Sequence, residues 1–450
     1  MPVACLVGVV TGFGCGCSPE SKAAGRRPKT PAIGQNVRVE HIDISFQTLP
    51  NSVTIKLMSE GNHISNCRLF RPPELGAGEL AAIERIGHLR KELRFYTSEP
   101  RRWLGPVRKI LAARAIQGTN SIEGYNVSED EAVDAVAGEV PEGDSPEESV
   151  KALLAYQRAM TYVLQLAKDP HFTYDPALVR SLHFMMTEYD FDASPGLWRP
   201  GSIWIRDDKS GEIVYEGPDV ESVPNLVACL MQEIEEMDEY PSMIKGAMAH
   251  LNLVMIHPFR DGNGRMSRCL QTLVLAREGV LSPELCSIEE YLGRNTQSYY
   301  EILNTTGQGA WNPGNDTTDW IRYCLIAHYV QAASVLRRVR ESEATWGLLE
   351  SVVEKEKLPP RIIQALFDAT FGLKVRNSSY RRAVRSGDPE AEISNQTATK
   401  DLSRMVEAGL LTKRGSKRGS HYIAARPLNE IRQTHRDQRQ QIRSDVLFTV

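Results

Sequence analysis

The chain has 450 residues, of which 41% are hydrophobic and 24% charged, and a formal net charge of −4. Those proportions exclude wholesale disorder, a collagen-like repeat and a coiled-coil rod. The slight negative charge excludes a uniformly basic nucleic-acid coat, though not one basic segment. At roughly 150 residues per domain the length corresponds to about three domains, enough to bury a core without covalent staples. Eight cysteines, three of them crowded at Cys5, Cys15 and Cys17, form no paired CxxC spacing. A reduced, cytoplasmic setting is the simplest reading.

Residues 1–57 read as leader and linker. Their apolar start is too short to span a bilayer and lacks the basic beginning of a secretory signal, since the first basic residue is Lys22. Met58 is an alternative start. Residues 37–57 alternate weakly, as a hairpin would. No other stretch of about 18 apolar residues occurs, so no membrane span is expected.

An N-terminal helical region covers 58–145, with apolar residues at three- and four-residue steps in 79–95 and 107–118. Residues 129–148 hold nine acidic side chains, no basic one, and Gly138, Pro141, Gly143 and Pro146. They are expected to be a solvated loop.

The segment 146–335 reads as the core domain. Helices are expected at 149–167 and 176–189, the second capped by Asp175 with Pro176 at its first position. The character changes over 191–218, where two short β-like runs flank Asp207-Asp-Lys-Ser-Gly211, a hairpin signature. Helical pattern resumes at 219–237 and 242–256.

The chemistry concentrates at 255–276. The helix over 242–256 should stop at His257, because a residue before proline is disfavoured in helical backbone. Phe259 anchors the loop, and Asp261, Gly262, Asn263 and Gly264 make a tight turn that needs glycine-permitted angles. A new helix then begins, and its free N–H groups and positive dipole end suit an anion. Arg265 and Arg268, three apart, share a face of its first turn. Together these make a polyphosphate cradle. Asp261 is a hard oxygen ligand suited to Mg2+, and His257 is the available general base.

The run His257-Pro-Phe259-Arg-Asp261-Gly262-Asn263-Gly264-Arg265-Met-Ser-Arg268 matches every specified position of the Fic motif, HxFx(D/E)GNGRxxR. The chain resembles the Fic family over roughly 60–335. The resemblance implies a mainly α fold: a Fic helical core with a small β-hairpin flap, followed here by a winged-helix-like α+β domain. It implies that His257 deprotonates a Ser, Thr or Tyr hydroxyl of a protein, the chain itself included. That oxygen would attack the α-phosphate of ATP and release pyrophosphate. Asp261 would hold Mg2+; Gly262, Asn263 and Gly264 would form the anion hole; Arg265 would support the phosphates and Arg268 the γ-phosphate. Glycine at 264 argues against the kinase-like Doc branch, which carries lysine there. The flap, through Ile203, Trp204 and Ile205, would dock the target by strand addition. Transfer of UMP or phosphocholine, or removal of AMP, would use the same cradle. So would a DNA-binding regulator with a nucleotide-sensing core.

Thr119-Asn-Ser-Ile-Glu123-Gly124 fits the family's inhibitory pattern (S/T)xxxE(G/N). By that resemblance Glu123 pairs with Arg268 and competes with the γ-phosphate for one guanidinium.

Residues 340–426 read as a separate module: helices at 344–355, 358–371 and 394–411, then a hairpin at 412–425. This order resembles a winged helix. Ser394 is placed to cap and Gly409 to end the third helix. Residues 394–426 carry seven basic and two acidic side chains, a local +5. DNA contact there, and a homodimer, are left open. Residues 427–450 are the tail, of which 428–444 is polar and expected to be a frayed helix. Cys229, Cys269, Cys286 and Cys324 are expected to be small core residues.

Overall fold

The computed structural model describes residues 67–449, apart from 207–210, 280, 388–391, 417 and 418. The expected leader and weak hairpin of 1–57 therefore lie outside the described residues. The helical periodicity resolves into helices almost throughout, so the fold is mainly α.

The two N-terminal runs become α1 (Ala77–Thr97) and α2 (Leu104–Ile122). They are followed by α3 (Glu129–Val136), α4 (Glu147–Leu166) and α5 (Pro176–Thr187). Asp175 caps α5, its carboxylate accepting from the Leu178 N–H at 2.6 Å. The β-like runs form an antiparallel pair, β1 (Trp204–Arg206) and β2 (Ile213–Glu216), with Ile205 opposite Tyr215. The outer side of β2 bonds the chain at 309–311: Glu216 donates to the Gly309 carbonyl and accepts from Trp311. Among the described residues β1 pairs only with β2, so its outer edge is open.

Next come α6 (Val223–Glu236), α7 (Ser242–Ile256) and α8 (Asn263–Arg277). Every residue of α7 from Met243 to Ile256 except Lys245 is buried, as is every residue of α8 from Arg265 to Ala276. Helices apolar or buried all round belong at the centre of a domain. The loop joining these two is thus clamped at both ends by the core.

α9 (Pro283–Cys286), α10 (Glu289–Arg294) and α11 (Thr296–Gly307) lead to α12 (Thr318–Lys355). At 38 residues α12 is about 57 Å long at 1.5 Å per residue. It packs against α1 and α7 near its start and against later helices near its end. The module boundary expected near residue 340 lies inside this helix.

The C-terminal part comprises α13 (Ile363–Thr370), α14 (Asn377–Gly387), α15 (Asn395–Glu407), β3 (Leu411–Arg414), β4 (His421–Ala424) and α16 (Arg426–Asp437). Ser394 caps α15, accepting from the Thr397 N–H at 3.1 Å. Gly409 takes φ +68° just past its end, as a helix-terminating glycine does. Val375 and Tyr422 exchange two backbone bonds of 2.8 and 2.9 Å beside the β3–β4 hairpin.

Three expectations need correction. The acidic stretch 129–148 is not a solvated loop. Its first eight residues form α3, opened by a reciprocal cap in which Ser128 and Glu131 bond each other's backbone. Its charges are neutralised from the C-terminal part: Arg376 meets Asp134 at 3.5 Å and Glu142 at 3.4 Å, and Arg382 meets Glu139 at 3.1 Å. A one-sign run becomes structured when the opposite sign arrives from distant sequence, which periodicity cannot reveal. The segment expected as a frayed helix is regular to Asp437 as α16, and beyond it the chain packs back: Leu447 is fully buried and Arg85 of α1 donates to its carbonyl at 2.7 Å. Finally, Cys229 is paired with Cys67 in a disulfide, while Cys269, Cys286 and Cys324 are buried and free.

Candidate active site

The α7–α8 loop is built around strained and tightly held backbone. His257 ends α7 at φ +50°, ψ +58°, a left-handed conformation uncommon outside glycine. Gly262 sits at φ +76° immediately before α8, where an added Cβ would lie 3.1 Å from Thr187. The Asn263 side chain pins the loop between them. Its Oδ1 accepts from the Phe259 N–H and its Nδ2 donates to the Phe259 carbonyl, both at 2.9 Å. Asn263 thus offers an incoming anion its backbone N–H rather than its side chain.

Two residues that the sequence reading passed over hold the loop from outside. Arg199 Nε donates to the His257 carbonyl at 3.0 Å, and its backbone N–H bonds the Pro258 carbonyl at 2.9 Å. The rest of its guanidinium bonds the carbonyls of Gly201 and Pro218, so one buried arginine joins the loop to both ends of the hairpin. His183 of α5 stacks on Phe259 with ring centroids 3.7 Å apart. Its Nδ1 accepts from the Gly196 N–H, which leaves Nε2–H to donate to the Asp261 carbonyl at 3.0 Å. Burial pushes its pKa down to about 4. The Arg199-Pro-Gly201 run next to the hairpin was the available signal for the arginine. Nothing in the sequence marks His183 beyond its place on an amphipathic helix.

His257 is buried, and that burial lowers its pKa to about 4 against the opposing pull of a hydrogen bond to Val254. That bond, Nδ1 to the Val254 carbonyl at 3.1 Å, fixes the tautomer. The Nε2 lone pair is left for the adjoining cavity. This cavity, of about 260 Å³, brings His257 together with Asp261, Gly262, Asn263, Gly264 and Arg268, and Glu123 enters from α2. Ile205 of β1 and Tyr299 and Tyr300 of α11 form other walls. Of the three flap residues, Ile205 reaches this cavity and Trp204 is half-buried. The Ile203 side chain is buried beneath Gly217.

Arg268 is held from α2 through three hydrogen bonds. Its Nε donates to Thr119 Oγ1 at 2.6 Å, and its second terminal nitrogen donates to the Thr119 carbonyl at 3.1 Å and to Glu123 at 2.6 Å. The Thr119 carbonyl belongs to the last turn of α2, where carbonyls lack helical partners and the dipole is negative. Burial opposes the Arg268 charge most, but Glu123 together with Tyr299 and Tyr156 holds the pKa above the usual arginine value. The other terminal nitrogen is buried with no hydrogen-bond partner among the described residues. Gly124, at φ +85°, lets the chain turn away directly after Glu123. Gly264 makes the approach of Glu123 feasible, since a Cβ there would lie 2.3 Å from the Glu123 carboxylate.

Arg265 turns to the opposite side. It meets Asp261 at 3.3 Å and Tyr189 at 3.0 Å, with the Tyr125 ring 5.1 Å from its guanidinium carbon. The Asp261 side chain stays about half exposed beside the cradle.

The loop thus sets a buried histidine before a glycine turn and a new helix with two arginines on its first turns. Residues 173–275 of the chain match the Fic/DOC family. Curated relatives named protein adenylyltransferase Fic are similar to part of the chain. The one from Drosophila willistoni is 37% identical over 109 residues, 22% of this chain and 20% of that protein. The one from Drosophila melanogaster is 35% identical over 109 residues, with the same coverage. The chain thus spans about one fifth of the length of the curated relatives it matches. Among solved structures, a Fic family protein from Desulfovibrio desulfuricans aligns with TM-score 0.46 and 18% identity over 79% of this chain and 98% of its own. A Fic domain containing signaling protein from Bacteroides thetaiotaomicron aligns with TM-score 0.47 and 18% identity over 57% and 98%.

Proposed function

We propose that the chain transfers AMP from ATP to a hydroxyl side chain of a protein. The observation that carries this reading is the shared cavity. A neutral His257 with its Nδ1 already engaged faces the same space as the N-terminus of α8 and the unpartnered nitrogen of Arg268.

The chemistry follows from those groups. The ATP phosphates lie against the backbone N–H groups of 262–264, with Arg268 at the far phosphate, while Arg265, turned to the other side, braces Asp261 and Tyr189. The target segment adds to the open edge of β1, which brings its hydroxyl beside His257. His257 Nε2 takes the hydroxyl proton as the oxygen bonds to the α-phosphorus. The bond from that phosphorus to the β-phosphate oxygen breaks, and pyrophosphate leaves. Positioning and charge stabilisation supply most of the rate, with one base.

Asp261 is the residue suited to Mg2+. No group of three or more His, Cys, Asp or Glu side chains gathers among the described residues. One exposed carboxylate next to a phosphate cradle still fits an ion that takes most of its ligands from substrate phosphates and water. When bound, Mg2+ neutralises phosphate charge.

Glu123 serves as the brake. Its carboxylate occupies the guanidinium that the γ-phosphate requires, so ATP binds out of line until the pair opens. Transfer of label to protein from ATP tests the whole reading, with self-modification as readout in wild type, Glu123→Gly and His257→Ala. Label from the α-phosphate only, stronger in Glu123→Gly and lost in His257→Ala, is expected. Label from the γ-phosphate would overturn it.

A further inference from the structure

A second cationic cavity, of about 320 Å³, lies away from the Fic loop, between α2, α10 and α12 on one side and α16 on the other. The core side contributes Arg114, Arg294, Arg337 and Arg338. From α16 come Arg432 and Arg436, which four residues apart share one face of the helix, and Arg439 follows just past its end.

The carboxylates within reach are too few for these charges. Glu290 takes both Arg338, bidentately at 2.5 and 2.7 Å, and Arg294 at 2.7 Å. Glu341 takes Arg439 at 2.8 and 2.9 Å and Arg337 at 3.7 Å, and Glu129 takes Arg114 at 2.7 Å. Seven guanidiniums thus face three carboxylates, an excess of four positive charges. Arg432 and Arg436 form no ion pair among the described residues. Burial, followed by the like charge of Arg439, holds Arg337 below the usual arginine pKa. Such crowding is unfavourable unless an anion relieves it.

We propose that this cavity is a binding site for a compact polyphosphate anion, free or carried by a nucleotide. Guanidinium forks match phosphate oxygens in pairs, and several forks converging on one point favour a chain of phosphates over a single one. The volume lies at the small end of the roughly 300–1,000 Å³ range of ligand pockets, which suits a small anion and excludes a duplex or a folded partner. The site is independent of the transfer reaction proposed above.

Isothermal titration of the full chain tests it, with sodium tripolyphosphate, orthophosphate and ATP as titrants. Three variants are compared with wild type. Arg432→Glu with Arg436→Glu changes two exposed, unpaired residues that the fold does not depend on. Lys413→Glu with Arg414→Glu makes the same charge change on exposed positions of β3. Arg268→Ala removes the phosphate partner at the Fic loop. Tripolyphosphate is expected to bind more tightly than orthophosphate and to weaken ~100-fold in the α16 variant, the loss of two charge-assisted contacts at about tenfold each. It should bind unchanged in the β3 variant and in Arg268→Ala. ATP heat that survives Arg268→Ala and is lost when Arg268→Ala is combined with the α16 changes would extend the site to nucleotides; no ATP heat in Arg268→Ala would confine the site to free polyphosphate. Equal weakening in the α16 and β3 variants, loss only in Arg268→Ala, or no binding of tripolyphosphate would each overturn the proposal.

Discussion

Replacing Glu123 with glycine should move activity and stability in opposite directions. In the folded chain the carboxylate makes one charge-assisted hydrogen bond of 2.6 Å to an arginine that is 1% exposed. Such a bond is worth about 1.5–3 kcal/mol, and it must open before Arg268 can hold the γ-phosphate. Removing it should therefore raise the rate of AMP transfer by roughly 10- to 150-fold. Removing one partner of a buried pair typically costs about 3–5 kcal/mol of stability. Here Thr119 still accepts from two Arg268 nitrogens, so the cost should fall to about 1–3 kcal/mol. The assay is initial-rate self-modification with α-labelled ATP, alongside urea unfolding of the same preparations. A rate unchanged within twofold, with stability lowered as stated, would refute the brake. The ion pair would then be a fold contact and nothing more.

Further outcomes follow from the same geometry. Gly264→Ala should expel Glu123, because the new Cβ would lie 2.3 Å from its carboxylate, and should also crowd the phosphate cradle; ATP binding by titration should fall although the brake is open. Arg199→Ala frees the His257 and Pro258 carbonyls and both ends of the hairpin, so transfer should drop at least tenfold at saturating ATP, while ATP affinity, which depends on α8, changes little. Acid should destabilise the fold before carboxylates titrate. His183 and His257 are held down to about 4, and His250 and His328 to about 3, all by burial. With folded values below the ordinary 6.5, the unfolded chain binds more protons between them. The stabilisation is thus complete above about pH 6.5 and is lost as pH falls towards 4, at up to about 1.4 kcal/mol per unit for each histidine. Unfolding midpoints in urea measured from pH 7.5 to 4.5 should fall throughout that interval; a flat profile above pH 5 would contradict the burial argument.

Much of this protein is legible in the residue order, because its information is local. The spacing of apolar residues sets the helices. Asp175-Pro176 marks a helix start, and the glycines of the 257–268 run mark a turn between two helices. The cradle itself lies within 12 consecutive residues, so reading it required no long-range contact. Other features depend on chain segments that meet only on folding. The acidic stretch after Glu123 looked solvated because its partners Arg376 and Arg382 lie more than 200 residues away. Cys229 looked like an isolated core residue because Cys67 is 162 positions distant. Arg199 and His183 act through backbone carbonyls of the loop, and a carbonyl carries no sequence signature. The tail looked free because only the packed chain brings α1 to Leu447. The arginine cavity is the extreme case: its members come from four helices and the chain just past the last of them, each unremarkable alone, and their charge becomes a site only where tertiary packing sums it.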